Sequence, residues 1–310
     1  MQIGPREVEA ARERIGGHVR RTPVLELPAD TFAAVPTPLA LKLETLQHTG
    51  SFKVRGAFHR LLSAEIPRAG VVAASGGNHG AAVAFAARAL GLPVRVFMPA
   101  TAPPAKVARV RGYGAEVTLI GAGYDDAREA AAQYAATSGA LDVPAFDDLA
   151  VIAGQGTVAL EVADQARFDT LLVAVGGGGL AAGCAAALAG RGVRLVGVET
   201  TRTASLHAAL AAGGPVEVDV SGVAADALGA RRVGRLPFIV LDAAIDRVVL
   251  VEDEDVVATQ RVLWEELRVV AEPGGAAALA ALLRGAYRPA AGERIGIVIC
   301  GANVHPGSVG

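Results

Sequence analysis

In this 310-residue chain only Lys42, Lys53 and Lys106 carry a side-chain amine; every other Lys/Arg position is arginine. Arginine stays protonated, so only a lysine supplies an amine that sheds its proton and reacts. Lys53 lies in HTGSFKVRGA (48–57), where Thr49 or Ser51 is placed to cap a helix whose first turn carries it. The positive end of a helix disfavours a cation, and burial pushes the amine the same way. Lysines that form Schiff bases want this environment. A solvated helix lysine fits the same spacing equally well.

Two glycine-rich loops supply anion sites. In VAVGGGGLAAG (173–183) a strand runs through four glycines into a helix beginning near Leu180. Unobstructed backbone N–H groups at a helix start suit a phosphate. The loop also satisfies a dinucleotide pattern through Gly177, Gly179 and Ala182, with Glu199 where a ribose-binding acid would stand. A close strand–helix packing turn is the third reading. In AASGGNHGAAVAFAARALG (73–91), Ser75 and Asn78 add side-chain hydrogen bonds to a second helix start, which suits a carboxylate; an ordinary cap and turn is the alternative.

RIGIVICGANV (294–304) ends a buried strand in Cys300. A thiol there faces the usual ligand side of an α/β sheet, although cysteine is also a common buried small residue. Cys184, inside the helix after the glycines, reads as core. The acidic start of 251–270 complements a helix dipole. His18, His48, His59, His79, His207 and His305 show no metal-ligand spacing. No nucleophile elbow, P-loop or kinase set appears.

The elements that must position these residues alternate. Short β-branched runs at 70–75, 93–99, 115–121, 170–176, 193–200 and 294–300 read as strands. Ala-rich segments at 5–16, 51–63, 79–90, 104–112, 124–138, 154–167, 180–189, 254–269 and 274–284 read as helices. This alternation predicts an α/β fold with mainly parallel sheets covered by helices. Two clusters of such units suggest a small domain, 46–140, inserted in a large one, 1–45 plus 141–310, with a ligand cleft between them. Hydrophobic content of 52%, charged content of 19% and a net charge of -2 exclude a nucleic-acid or membrane-surface polyelectrolyte. The longest apolar runs are interrupted, so no membrane span is expected. Two distant cysteines point to a reduced, cytoplasmic setting.

Taken in order, TGSFKVRGA, ASGGNHG, VIAGQGTVALEV, VGGGGL, AEPGGA and VICGANV resemble the pyridoxal-phosphate (PLP)-dependent serine/threonine dehydratase and serine racemase family, fold type II, over about 21–304. The fold implied is tryptophan synthase β-like. By that resemblance Lys53 matches the Schiff-base lysine, and Phe52 the aromatic residue packed against the cofactor ring. Asn78 matches the asparagine bonded to the ring's 3′-oxygen. Ser75, with Gly76, Gly77, Asn78 and His79, matches the substrate-carboxylate loop. Gly176, Gly177, Gly178 and Gly179, running into Leu180, match the phosphate cradle. Cys300 matches the partner of the pyridine nitrogen, as in the serine dehydratase branch.

Family racemases carry a serine, acting as acid and base, where this chain has Gly76, so the resemblance implies dehydration with little racemisation. It implies L-threonine or L-serine as substrate, with serine racemase or hydroxyaspartate dehydratase as alternatives. Divalent-cation relatives place acidic ligands in the segment equivalent to 218–234, where Gly222 replaces an expected aspartate. SGVAADALG is closer to relatives that hold a potassium-like ion through backbone carbonyls near 221–230, with Asp226 as a displaced ligand in the alternative. The family also implies a homodimer, and with the chain stopping soon after the last of these motifs, feedback through a C-terminal regulatory domain is not expected.

Overall fold

The computed structural model describes residues 3–29, 31–33 and 35–304; His305 and the outermost ends of the ranges 1–45 and 141–310 lie outside them. The strands are β1 (Val24–Leu27), β2 (Leu39–Leu43), β3 (Val71–Ala74), β4 (Val94–Met98), β5 (Glu116–Leu119), β6 (Leu141–Asp142), β7 (Thr170–Ala174), β8 (Arg194–Thr200), β9 (Arg247–Val251) and β10 (Ile295–Ile299). The helices begin with α1 (Pro5–Ile15), α2 (Lys53–Leu62), α3 (Asn78–Ala89), α4 (Pro104–Gly112), α5 (Tyr124–Ser138) and α6 (Leu149–Gln165). They continue with α7 (Gly179–Leu188), α8 (Ser205–Ala212), α9 (Ala225–Leu228), α10 (Arg235–Ala244), α11 (Asp253–Leu267) and α12 (Pro273–Leu283).

A six-stranded sheet has the order β1-β2-β10-β7-β8-β9, and a four-stranded sheet the order β5-β4-β3-β6. All pairings are parallel except β1 with β2. β2, β7 and β10 are buried along their whole length, which is why they read as continuous apolar runs. In the smaller sheet the side chains alternate. Val71 and Ala73 enter one core with α2, α3 and α4, while Val72 and Ala74 enter a second with α5. Both sheets are covered by helices, giving two parallel-sheet domains.

VIAGQGT lies inside α6, and its glycines are points of close backbone approach. A Cβ on Gly154 would meet the Arg55 carbonyl at 2.7 Å, and one on Gly156 would meet the Gly183 carbonyl at 2.5 Å. α6 therefore presses directly on α2 and α7. It also starts five residues earlier than its glycines suggest, because the Asp148 side chain caps it by accepting the Val151 N–H at 3.0 Å. Three loops that carry candidate residues follow the carboxyl ends of β3, β7 and β10, where ligands of parallel sheets collect.

Candidate active site

Lys53 owes its position to a stitch between two distant segments. Ser51 forms an isolated antiparallel bridge with Gly301. The Phe52 N–H donates to the Cys300 carbonyl at 3.1 Å, and the Ala302 N–H to the Gly50 carbonyl at 2.9 Å. This draws the start of α2 onto the end of β10. The expected cap by Thr49 or Ser51 is not formed, because the stitch holds Ser51 extended and Thr49 left-handed at φ 61°. Phe52 occupies the cap position without a side-chain bond. The hydroxyls of Thr49 and Ser51 are instead buried with no hydrogen-bond partner among the described residues.

Lys53 is the first residue of α2. Its Nζ donates to the Ala145 carbonyl at 2.9 Å and lies 5.2 Å from the centre of the Phe52 ring. Removal from bulk water pushes the amine down to about 8, against smaller opposing effects of Cys300 and Glu272. Lys42 and Lys106 are committed elsewhere, Lys42 to Glu161 at 2.7 Å and Lys106 to Asp226 at 2.5 Å. The latter pair joins Asp226 to α4 through one carboxylate oxygen.

In the loop after β3, the Ser75 hydroxyl accepts the Gly77 N–H at 3.1 Å. His79 donates through Nε2 to the Val143 carbonyl at 2.8 Å. Burial, then the nearby Lys53, pushes His79 down to about 4, so it is neutral at physiological pH. A Cβ on Gly76 would meet only ordinary contacts, Pro99 at 3.8 Å and Ala102 at 4.0 Å, so sterics do not dictate glycine there. Asn78 opens α3 and bonds Glu272 at 2.6 Å.

The loop after β7 is closed on its side-chain side. Added Cβ atoms would strike Leu228 from Gly176 at 2.9 Å, Pro237 from Gly178 at 2.8 Å and Phe146 from Gly179 at 2.9 Å. Gly177 would strike the Phe146 ring as well. Gly178 is left-handed at φ 87°, which turns the chain into α7, and Leu180 is buried in the first turn. Glu199 is withdrawn from any ribose, because its two oxygens accept the N–H groups of Leu206 and His207, each at 2.8 Å.

Cys300 is buried and its thiol donates to the Gly274 carbonyl at 3.3 Å. Burial, then the Glu272 charge, raises its pKa, so it remains a neutral thiol. Burial pushes Cys184 up to about 12, as befits the core. Among the described residues no group of three or more His, Cys, Asp or Glu side chains is arranged to hold a metal.

Residues 15–301 match the family model described as pyridoxal-phosphate dependent enzyme. The chain belongs to this family. An L-threonine ammonia-lyase of Geobacter sulfurreducens is 40% identical over 303 residues, covering 96% of this chain and 75% of that one. A biosynthetic L-threonine dehydratase of Pasteurella multocida is 41% identical over 271 residues, but the match spans only 53% of its length and 86% of this chain. The structure of maize serine racemase superposes with a TM-score of 0.93 at 32% identity, covering 100% of this chain and 96% of that one.

As in this PLP-dependent family, the site residues fit the cofactor. The glycine loop brings its backbone N–H groups to the start of α7, where a phosphate would sit, Lys53 offers an amine with no acidic partner among the described residues, and Phe52 offers a ring beside it. The orphaned hydroxyls of Thr49 and Ser51 mark a site built for more polar contacts than the protein supplies. Only a neutral amine attacks an aldehyde. Capture of pyridoxal phosphate by the apoprotein should therefore accelerate with rising pH through a midpoint of about 8. Stopped-flow absorbance checks this, and a rate that does not change across that pH contradicts it.

Sequence reasoning missed the segment 143–148, which organises the site. Val143 holds His79, Ala145 holds Lys53, Phe146 seals the glycine loop, and Asp147 accepts the N–H of Leu236 at 2.8 Å to anchor α10. Its adjacent acids before an apolar run were the available signal. Glu272 and Asn303 were also missed, although both stand inside recognised motifs.

Proposed function

We propose that the protein is a PLP-dependent ammonia-lyase that dehydrates and deaminates L-threonine or L-serine to 2-oxobutyrate or pyruvate plus ammonia. The observation that supports this reading is that Lys53 bonds Ala145, His79 bonds Val143 and the glycine loop packs on Phe146, all within one short segment, while the Phe52 N–H ties Lys53 to Cys300. The relatives named above act on such substrates.

Bound in this site, pyridoxal phosphate supplies an electron-withdrawing ring that stabilises negative charge at the substrate α-carbon. The Ser75–His79 loop receives the substrate carboxylate at the start of α3. Neutral His79 adds no charge to the site. The amine of Lys53, poised near neutrality, takes the α-proton. Loss of the β-hydroxyl as water, then uptake of water with release of ammonia, yields the 2-oxo acid. The Cys300 thiol, unlike a carboxylate, does not hold a ring nitrogen protonated, which favours elimination over transamination.

The second reading, hydroxyaspartate dehydration, needs a free cation for a second carboxylate. Arg128 lines a cavity of about 270 Å³ beside Ala145 and Phe146, but its guanidinium is paired with both oxygens of Asp142 at 2.8 and 2.5 Å. The racemase reading needs an acid/base opposite Lys53, and Gly76 supplies none. A coupled 2-oxo acid assay with chiral analysis of recovered serine tests these points. Pyruvate or 2-oxobutyrate is expected, with D-serine formed far more slowly. Gly76→Ser, which the contacts around Gly76 accommodate, is expected to raise D-serine formation. Interconversion of L- and D-serine by the parent protein at the rate of pyruvate formation would contradict the assignment.

The same proposal includes a cytoplasmic homodimer that acts on a small hydroxy amino acid without nucleic acid or membrane. Both cysteines are free, and no helix among the described residues is long and apolar enough to cross a membrane. It includes the division into 46–140 and 1–45 plus 141–310, and a monovalent cation held by carbonyls near 221–230, where Gly222 turns left-handed at φ 82°.

A further inference from the structure

Four polar side chains form a chain of hydrogen bonds with a fixed sense. Arg109, on α4, donates to Asn303 Oδ1 and, at 3.0 Å, to the Thr49 carbonyl. Asn303 Nδ2 donates to Asn78 Oδ1 at 2.5 Å and to the Thr49 carbonyl at 2.9 Å. Asn78 Nδ2 donates to Glu272 Oε1 at 2.6 Å. The other carboxyl oxygen accepts the Asn303 backbone N–H at 3.2 Å. A guanidinium only donates and a carboxylate only accepts. With one at each end, both amides between them have a single orientation.

Glu272 is 4% exposed, has no salt-bridge partner among the described residues, and its own N–H is bonded to the Gly301 carbonyl at 3.0 Å. The carboxylate packs so closely on Gly301 that a Cβ there would collide with it. Burying a carboxylate without a paired cation is costly, and hydrogen bonds from Asn78 and Asn303 offset part of that cost. Burial raises its pKa to about 7, opposed by the Asn78 hydrogen bond.

We propose that Glu272 is a positioning residue that locks the amide of Asn78 with its nitrogen toward the acid, leaving the second N–H for the cofactor's ring oxygen. The inference rests on the reading that Asn78 faces that oxygen. Arg109 and Asn303 act through the same amide, so α4 sets the geometry of the ring contact from outside the site.

The test compares holoenzymes carrying Glu272→Gln, Asn303→Asp, Asn78→Ala and the Glu272→Gln/Asn78→Ala pair. The first two are nearly isosteric, and circular dichroism checks their fold. PLP dissociation constants and visible absorption spectra are read alongside activity. Each single variant is expected to bind PLP about tenfold more weakly, the factor for one well-placed hydrogen bond, and to shift the visible maximum in the same direction. The double variant is expected to lose nothing beyond Asn78→Ala. If Asn78→Ala alone has these effects, or if the pair is additive, the role of Glu272 is overturned while Asn78 keeps its place. If Asn78→Ala changes neither spectrum nor affinity, the ring contact itself fails and the inference fails with it.

Discussion

Lys53→Ala is expected to lower 2-oxo acid formation from L-threonine by about 10³-fold or more, the scale of losing a positioned acid/base group. The loss has two sources. The alanine removes the amine that borohydride would fix to the cofactor, and it removes the base that meets the α-proton. Lys53→Arg should be equally inactive, because a guanidinium neither deprotonates nor attacks a carbonyl. The fold should survive both changes. Among the described residues the Lys53 side chain makes one hydrogen bond, to the Ala145 carbonyl at 2.9 Å, and forms no salt bridge. Steady-state assays, with melting curves of the apoproteins, check the two statements together. A Lys53→Ala protein that keeps a tenth of the parent rate would remove Lys53 from the chemistry.

Arg55→Met is expected to cost about 3–5 kcal/mol of stability, the range for stranding a buried charge. Two residues after Lys53, Arg55 is fully buried. It bonds Glu44 at 2.8 and 2.7 Å and Glu161 at 2.7 and 2.9 Å. Lys42, also fully buried, bonds Glu161 at 2.7 Å. The methionine fills similar space but leaves two carboxylates sharing one ammonium. Burial works to raise the pKa of Glu161, yet the Arg55 interactions win and hold it below the usual carboxylate range. In the parent, that contribution is present at neutral pH and is lost as pH falls through the lowered value. In the variant the sign reverses: burial then raises the Glu161 carboxyl, so part of the lost stability returns on mild acidification. Denaturant midpoints at two pH values check both the size and the sign. Because Arg55 and Lys53 share the first turn of α2, PLP affinity should fall as well.

Some of this architecture was plain in the sequence because its causes are local. Four consecutive glycines after TLLVAV specify the turn from β7 into α7. The β-branched run at 294–300 specifies a buried strand ending at Cys300. A scarce lysine beside Ser-Phe picked out the reactive position. The features that were not legible have distant causes. α10 starts with no cap of its own, and Asp147, far back in the chain, accepts the N–H groups of Arg235 and Leu236. The glycines of α6 look like breakers until Arg55 and Gly183 are seen against them. Ser51 looks like a cap until its backbone pairs with Gly301. Glu272 looks like a helix-start acid until its bond joins the start of α12 to Asn78 at the start of α3. β9, the β-branched run RVVLV at 247–251, carries as plain a local pattern as the expected strands and was passed over beside the acidic helix start that follows it.

The scarcity of lysine makes the bond between Lys53 and a cofactor aldehyde directly measurable. The holoenzyme is reduced with borohydride, digested and mapped by mass spectrometry. With lysine at only 42, 53 and 106, each modified peptide has one source. The expected result is one pyridoxyl-modified peptide, containing Lys53, together with loss of 2-oxo acid formation. Modification at Lys42 or Lys106 with Lys53 untouched, or no modification of a catalytically active protein, would contradict it.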